Sequence, residues 1–309
     1  MPVLTVRHVT TYRYRQPVSF GEHRILFRPR DSHDQRLIEA RLDITPKPSR
    51  VRWVHDVFGN SIAIARFNSR AAELRFECFI NVDHTPDEGL EYELAEHART
   101  LPFSYGAEEM PDLLRAIERA RPDPKHEVDR WAREFLRPDA PTGTLDLLAE
   151  MTSRIHHDFA YVTRHERGVQ DPARTLHLGS GSCRDLALLM MESVRSLGFA
   201  AMFVSGYLNT HNRAGGPRRL GGGATHAWVR VYLPGSGWVE YDPTNGIVGN
   251  RDLIRVGVAR DPSQAVPLSG TWTGFPADDL DMTVDVLVTS DQDETTVPIA
   301  ALQQPSVAE

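Results

Sequence analysis

Polar and apolar residues alternate with a period of two through much of the first 85 positions. Leu4-Thr5-Val6-Arg7-His8-Val9, Thr11-Tyr12-Arg13-Tyr14 and Ala40-Arg41-Leu42-Asp43-Ile44 follow it, as do the stretches 61–67 and 74–82. Alternation puts every second side chain on one face, so each stretch predicts a half-buried strand. Turn formers separate the strands, notably Pro46-Lys47-Pro48-Ser49 and Asp56-Val57-Phe58-Gly59-Asn60. Short strands at this spacing predict an antiparallel, β-sandwich-like domain with one wet face over residues 1–85.

Past the polar connection Thr85-Pro86-Asp87-Glu88-Gly89 the period becomes helical. Helices are predicted from Pro111 to Ile117, around Val128, Trp131 and Phe135, and along Leu145, Leu148, Met151 and Ile155, the last capped by Thr144. A fourth carries Leu186, Leu189, Met190, Val194 and Leu197, and Gly198 stands where a stop belongs. Strands then return at 201–208, 225–233, 238–241 and 282–288, and a loop with five glycines runs from Asn209 to Ala224. The pattern predicts an α+β domain over residues 86–290 and a tail over 291–309.

Composition narrows the function. Lys and Arg number 35 against 42 Asp and Glu, a net charge of −7, which argues against nucleic-acid and anionic-membrane partners. No apolar run approaches the ~20 residues of a membrane span. No basic start leads into an apolar stretch, so no signal peptide is expected, and the expected location is cytoplasmic. The only cysteines are Cys78 and Cys183, too few for a disulfide scaffold or a Cys-rich zinc site.

The two cysteines stand in different patterns. Cys78 lies mid-strand between Phe76 and Ile80, where a packing role is expected. Cys183 follows Gly179-Ser180-Gly181-Ser182 and opens the fourth helix. The glycines permit a tight entry, and a helix N-terminus favours a thiolate and a developing oxyanion. A thiolate nucleophile needs an imidazole, and the imidazole an orienting acceptor. His226 begins the strand His226-Ala227-Trp228-Val229-Arg230-Val231-Tyr232, and Asp242 ends the next one. A three-residue loop, Leu233-Pro234-Gly235, would set His226 directly opposite Asp242 on one face. A four-residue loop, Pro234 to Gly237, would pair 229 with 242 and put Asp242 on the wrong face. The plain reading of Asp242 is a strand-end turn residue before Pro243, and that of His226 a structural histidine.

These residues carry a resemblance. Gly181-Ser182-Cys183-Arg184-Asp185, Val204-Ser205-Gly206-Tyr207-Leu208, His226-Ala227-Trp228-Val229 and the run from Trp238 to Asp242-Pro243-Thr244-Asn245-Gly246 resemble the transglutaminase-like superfamily. The similarity is to its bacterial branch, whose members are often described as cysteine proteases. The stretch from His8 to Val18 resembles the β domain that precedes the core in that branch, and Val258 to Gly270 is also similar. The resemblance implies a papain-like α+β core with Cys183 as nucleophile, His226 as base and Asp242 as orienter. It implies no metal or organic cofactor. Trp and Tyr supply a side-chain oxyanion donor in relatives, and Tyr161 is the candidate here, although a packed or hydrogen-bonded tyrosine fits it too.

The expected chemistry is acyl transfer on a peptide or isopeptide amide through a Cys183 thioester, with a peptide or protein as substrate. Hydrolysis is favoured because water needs no dedicated site; transamidation and a non-catalytic peptide-binding scaffold are the alternatives. The loop from Asn209 to Gly223, basic at Arg213, Arg218 and Arg219, is a candidate cover for the cleft and suits a substrate with an acidic group. Adjacent His156 and His157 point apart on a helix, which predicts a solvated or helix-end role. Oligomeric state and substrate identity are not legible.

Overall fold

The computed structural model describes residues 3–86, 92–164, 166, 168–210 and 219–291. Five strands come first: β1 (Val3–Ile25), β2 (Gln35–Thr45), β3 (Arg50–His55), β4 (Ser61–Arg66) and β5 (Arg70–His84). The two stretches expected as separate strands before residue 15 are one 23-residue strand. Drawn straight it would run about 78 Å at ~3.4 Å per residue. Instead it shifts register after Arg13 and after Phe20 and bends.

The middle of the chain mixes helices with two-residue strands. In order these are β6 (Thr100–Leu101), α1 (Met110–Ile117), α2 (Glu127–Arg133), β7 (Thr142–Gly143), α3 (Thr144–Asp158), β8 (Ala160–Tyr161), α4 (Pro172–Leu178), β9 (Ser180–Gly181) and α5 (Cys183–Ser196). The four expected helices are present. Thr144 is the first residue of α3 rather than its cap, and its hydroxyl donates to the Ala98 carbonyl at 2.6 Å. Helix α4 was not expected, because two turns are too short to show a period. Its local signal is Asp171 followed by Pro172, with the Asp171 carboxylate accepting from the Ala173 N–H at 3.0 Å.

Then come β10 (Ala201–Leu208), β11 (His226–Leu233), β12 (Gly237–Asp242), β13 (Ile247–Val248), β14 (Leu253–Ala259), β15 (Leu268–Thr273) and β16 (Asp279–Ser290). Strands β10 to β14 form an antiparallel five-stranded sheet in the order β13-β12-β11-β10-β14. Helix α5 is buried almost all round, packed between this sheet and α2, α3 and α4. Its Leu186, Met190 and Val194 share a core with Ala227, Val229 and Val231 of β11.

The last two strands leave that sheet. Strand β16 pairs with β1 from Leu4↔Ser290 to Tyr14↔Asp279, and β15 pairs with β1 from Ser19↔Thr273 to Ile25↔Leu268. The division that kept 282–288 with the second domain is corrected here: both ends of the described chain build one seven-stranded antiparallel sheet. Alternation along a strand announces the strand but not its neighbour, and β1 is long enough to serve several.

The two sheets meet along β14, an edge strand. Its outward backbone groups are met by side-chain amides of the N-terminal region. Gln35 accepts from the Arg255 N–H at 2.7 Å and donates to the Arg255 carbonyl at 2.8 Å. Asn60 does the same at Val258, at 2.9 and 2.8 Å. These bonds close an edge that would otherwise be open to pairing. Among the described residues no helix is long and apolar enough to cross a membrane.

Candidate active site

The entry to α5 is built around one carboxylate. Strand β9 pairs in parallel with β8, bringing Gly181 beside Tyr161. A Cβ on Gly181 would fall 2.8 Å from Asp185 Cβ, so the chain passes there only as glycine. Asp185, in the first turn of α5, accepts from the Ser182 N–H at 2.9 Å and the Ser182 hydroxyl at 2.8 Å. It also accepts from the Gln170 N–H at 2.7 Å and twice from Arg164, at 2.8 and 2.9 Å. Burial alone would raise its pKa, but these bonds outweigh burial and hold the carboxyl below its usual value. The ionised Asp185 thus pins the first turn and sets Cys183, its first residue, 7% exposed, at the helix N-terminus.

The hairpin places the other two groups, in a register that differs from the expected one. The loop is Pro234 to Ser236, so Leu233 faces Gly237 and Val229 faces Tyr241. The expected loop lay one residue earlier and set 226 opposite 242. Gly235 (φ +95°) and Gly237 (φ +72°) both take left-handed backbone, and that pair of glycines decides where the chain turns. The difference is a shift of two in the pairing, which keeps every side chain on its face. His226 therefore reaches Asp242 diagonally, with Nε2 donating to Oδ2 at 2.8 Å.

Both groups are buried, His226 at 1% and Asp242 at 0% exposure. Asp242 Oδ2 also accepts from the Asn245 side-chain amide at 2.8 Å, and Oδ1 from the Thr244 N–H at 2.9 Å. The Asx turn before Pro243 and the histidine contact coexist on one carboxylate. Burial pushes the Asp242 pKa up; the His226 charge and these hydrogen bonds more than reverse it, and the net direction is down. Burial likewise pushes His226 down, but the Asp242 charge and hydrogen bond, then the Cys183 side chain, raise it overall. Nε2 is committed to Asp242, and Nδ1 is buried with no hydrogen-bond partner. Nδ1 is the nitrogen left for the thiol.

Gly221 and Asn245 were not singled out as site residues in the sequence. Gly221 (φ +86°) roofs the imidazole: a Cβ there would come within 2.8 Å of Nδ1 and 3.5 Å of the Tyr161 hydroxyl. Asn245 holds that roof, accepting from the Leu220 N–H at 2.7 Å and donating to the Leu220 carbonyl at 3.2 Å. His156 supports the Asp242 turn from α3, with Nδ1 2.8 Å from the Thr244 carbonyl oxygen, so its role is a tether rather than a solvated helix end. The motif Asp242-Pro243-Thr244-Asn245 was the only sequence signal for Asn245.

Tyr161 does reach the site. Burial raises its pKa first and the nearby Cys183 adds to the rise, while a hydrogen bond with Thr163 opposes it. Cys78 lies apart, buried in β5. In the glycine-rich loop, Arg213 and Arg218 lie outside the described residues. Arg219 is paired with Asp252, its Nε 3.0 Å from Oδ2, which removes it as a free cation for an acidic substrate. Among the described residues, no three His, Cys, Asp or Glu side chains are grouped to hold a metal ion.

Residues 4–83 match the family model of the bacterial transglutaminase-like N-terminal region, and residues 129–243 match that of the transglutaminase-like superfamily. An uncharacterized protein of Mycobacterium tuberculosis is 31% identical over 91% of each chain. One of Mycobacterium leprae is 28% identical over 92% of this chain and 98% of its own. The fold is similar to the crystal structure of a protein from Cytophaga hutchinsonii named as a candidate cysteine protease. It superposes with a TM-score of 0.69 at 17% identity, over 96% of this chain and 92% of that one. The chain belongs to the transglutaminase-like superfamily, with the bacterial transglutaminase-like N-terminal region ahead of its core.

Proposed function

We propose that the protein is a thiol-dependent acyl-transfer enzyme that hydrolyses peptide or isopeptide amides. One observation carries this reading: a buried imidazole with Nε2 fixed on a buried carboxylate and Nδ1 unpartnered beside a helix-opening cysteine. Such a histidine can take the thiol proton and return it to a leaving group, while the carboxylate holds the ring and stabilises its charge.

In the first half-reaction the Cys183 sulfur attacks the amide carbonyl carbon and a C–S bond forms. The oxyanion sits against the Cys183 and Arg184 N–H groups, which have no acceptor among the described residues. The Tyr161 hydroxyl is the proposed side-chain donor. His226 gives its proton to the amine nitrogen, the C–N bond breaks and a thioester remains. In the second half-reaction His226 takes a proton from water, water adds to the thioester carbon, the C–S bond breaks and the thiol recovers its proton. Water is favoured as acceptor because it needs no binding groove.

The test is incubation of the full chain with glutamine- and lysine-containing peptides, followed by mass spectrometry. Conversion of an amide to an acid, lost in Cys183→Ala, supports hydrolysis. A peptide–peptide adduct replaces it with transamidation. No change with either peptide, together with Cys183 alkylation indifferent to His226→Ala, removes the enzyme reading in favour of a binding scaffold.

A further inference from the structure

Glu240 is buried on β12, two residues before Asp242, at 3% exposure. It accepts from the Trp228 indole N–H at 3.0 Å. The Trp228 ring, fully buried, stacks on the His226 ring with centroids 6.0 Å apart and planes 28° apart. The other Glu240 oxygen accepts from the Arg255 guanidinium of β14. That guanidinium turns its other arm to Asp34, at 2.8 and 3.0 Å, and to the Ser32 hydroxyl at 2.9 Å. Asp34 is itself held by the Asn250 side-chain amide. Ser32 and Asp34 belong to the segment between β1 and β2. A continuous polar path thus runs from the N-terminal region, through the sheet, to the face of the imidazole.

Buried charges at both ends of such a path are costly, and an apolar packing of the same volume would commonly be at least as stable. Planarity is what the charges add. A two-carboxylate clamp fixes a guanidinium plane, the guanidinium fixes the Glu240 carboxylate, and the carboxylate fixes the rotation of the indole.

We propose that the N-terminal β region orients the His226 imidazole through Asp34, Arg255, Glu240 and Trp228, which are positioning residues for it. The proposal rests on the catalytic reading of His226 above. The other groups around the ring are Asp242 from β12, the Asn245 amide from the turn after it, Cys183 from α5, Tyr161 from β8 and the Gly221 backbone. None of these touches Asp34, whose other side-chain hydrogen bonds are to Ser32 and Asn250, so the path through Arg255 is its direct line to the ring.

The test uses the full chain and two readouts that need no substrate: the imidazole nitrogen resonances of His226 and the pH dependence of Cys183 alkylation by iodoacetamide. Asp34→Asn and Trp228→Phe are expected to shift the His226 resonances and move the alkylation midpoint. Asp34→Glu, which keeps the charge, is expected to restore part of both. With a cleaved peptide, Asp34→Asn is expected to lower kcat about tenfold and leave KM within about twofold, the mark of a misplaced group rather than a lost contact. Asn60→Ala, which frees the same strand edge without touching the path, is the control: a lower Tm with unchanged resonances and midpoint. If Asp34→Asn behaves like Asn60→Ala, the path is an ordinary interdomain staple and the proposal falls. If the wild-type chain cleaves nothing and His226→Ala leaves alkylation unchanged, the catalytic reading falls instead, and the resonance shift still reports on the path.

Discussion

The two cysteines are buried almost equally, 2% for Cys78 and 7% for Cys183, yet they occupy opposite chemical settings. Cys78 sits in β5 between Leu42 of β2 and His8 of β1. His8 shares that face, but its two ring nitrogens are taken, Nδ1 by the Tyr207 hydroxyl and Nε2 by the Thr10 hydroxyl, so neither is left for the thiol. Burial, with a smaller contribution from Asp43, pushes the Cys78 pKa up to about 12, against a small opposing effect of Arg28. Cys183 is nearly as hidden, but it opens a helix and has an imidazole beside it whose far nitrogen is tied to a carboxylate. Burial therefore does not separate a structural thiol from a candidate nucleophile. The partner within reach, and the partner of that partner, does.

The largest expected effect contrasts the two directly. Cys183→Ala should reduce amide turnover by about 10⁴-fold or more, and Cys78→Ala should leave it unchanged, measured as initial rates on any peptide the wild type cleaves. A comparable loss in both variants would erase the distinction. Next, Asp242→Asn should lower turnover by roughly 10²- to 10⁴-fold while the fold is kept, because the ring loses its orienting charge; circular dichroism and rates together check it. Tyr161→Phe should lower kcat by on the order of 10²-fold with KM nearly constant, as expected for a donor used only when the oxyanion forms. An unchanged kcat would return Tyr161 to packing.

Smaller effects appear in stability. Cys78→Ala should lose about 1–3 kcal/mol in denaturant unfolding, since a core atom is deleted and not replaced. The His226–Asp242 pair should also shape Tm against pH. A histidine whose pKa is raised by folding stabilises fully below its unfolded value of about 6.5 and loses that contribution as pH climbs through the folded value. An aspartate whose pKa is lowered stabilises above about 4 and loses the contribution as pH falls. The Tm gap between wild type and Asp242→Asn should thus be widest between about pH 4 and 6.5 and narrow on both sides. A gap constant with pH would mean that the two groups are not a charged pair in the folded protein.

Much of this was legible in local pattern. The alternation of β1, β4 and β5 and the helical spacing of α1, α3 and α5 are properties of short windows, and the elements lie where those windows fall. The glycine-flanked Cys183 and the residues of the β11–β12 hairpin were readable for the same reason. The face shared by His226 and Asp242 survived an error of two in register, because side-chain direction in a strand repeats every two residues. What stayed hidden were elements too short to show a period, such as α4 and β13. Partners far apart in sequence were hidden as well.

The sequence by itself determined which residue types stand at the helix opening and along the hairpin, since these follow from backbone entry, capping and alternation within a few positions. Only the tertiary structure decided that β15 and β16 complete the sheet begun by β1, and that Gly221 roofs the imidazole. It alone joined Asn245 to Leu220, and Asp34 to Arg255. Each of these pairs strand edges or polar groups far apart in the chain, and their matching depends on where the whole fold brings them.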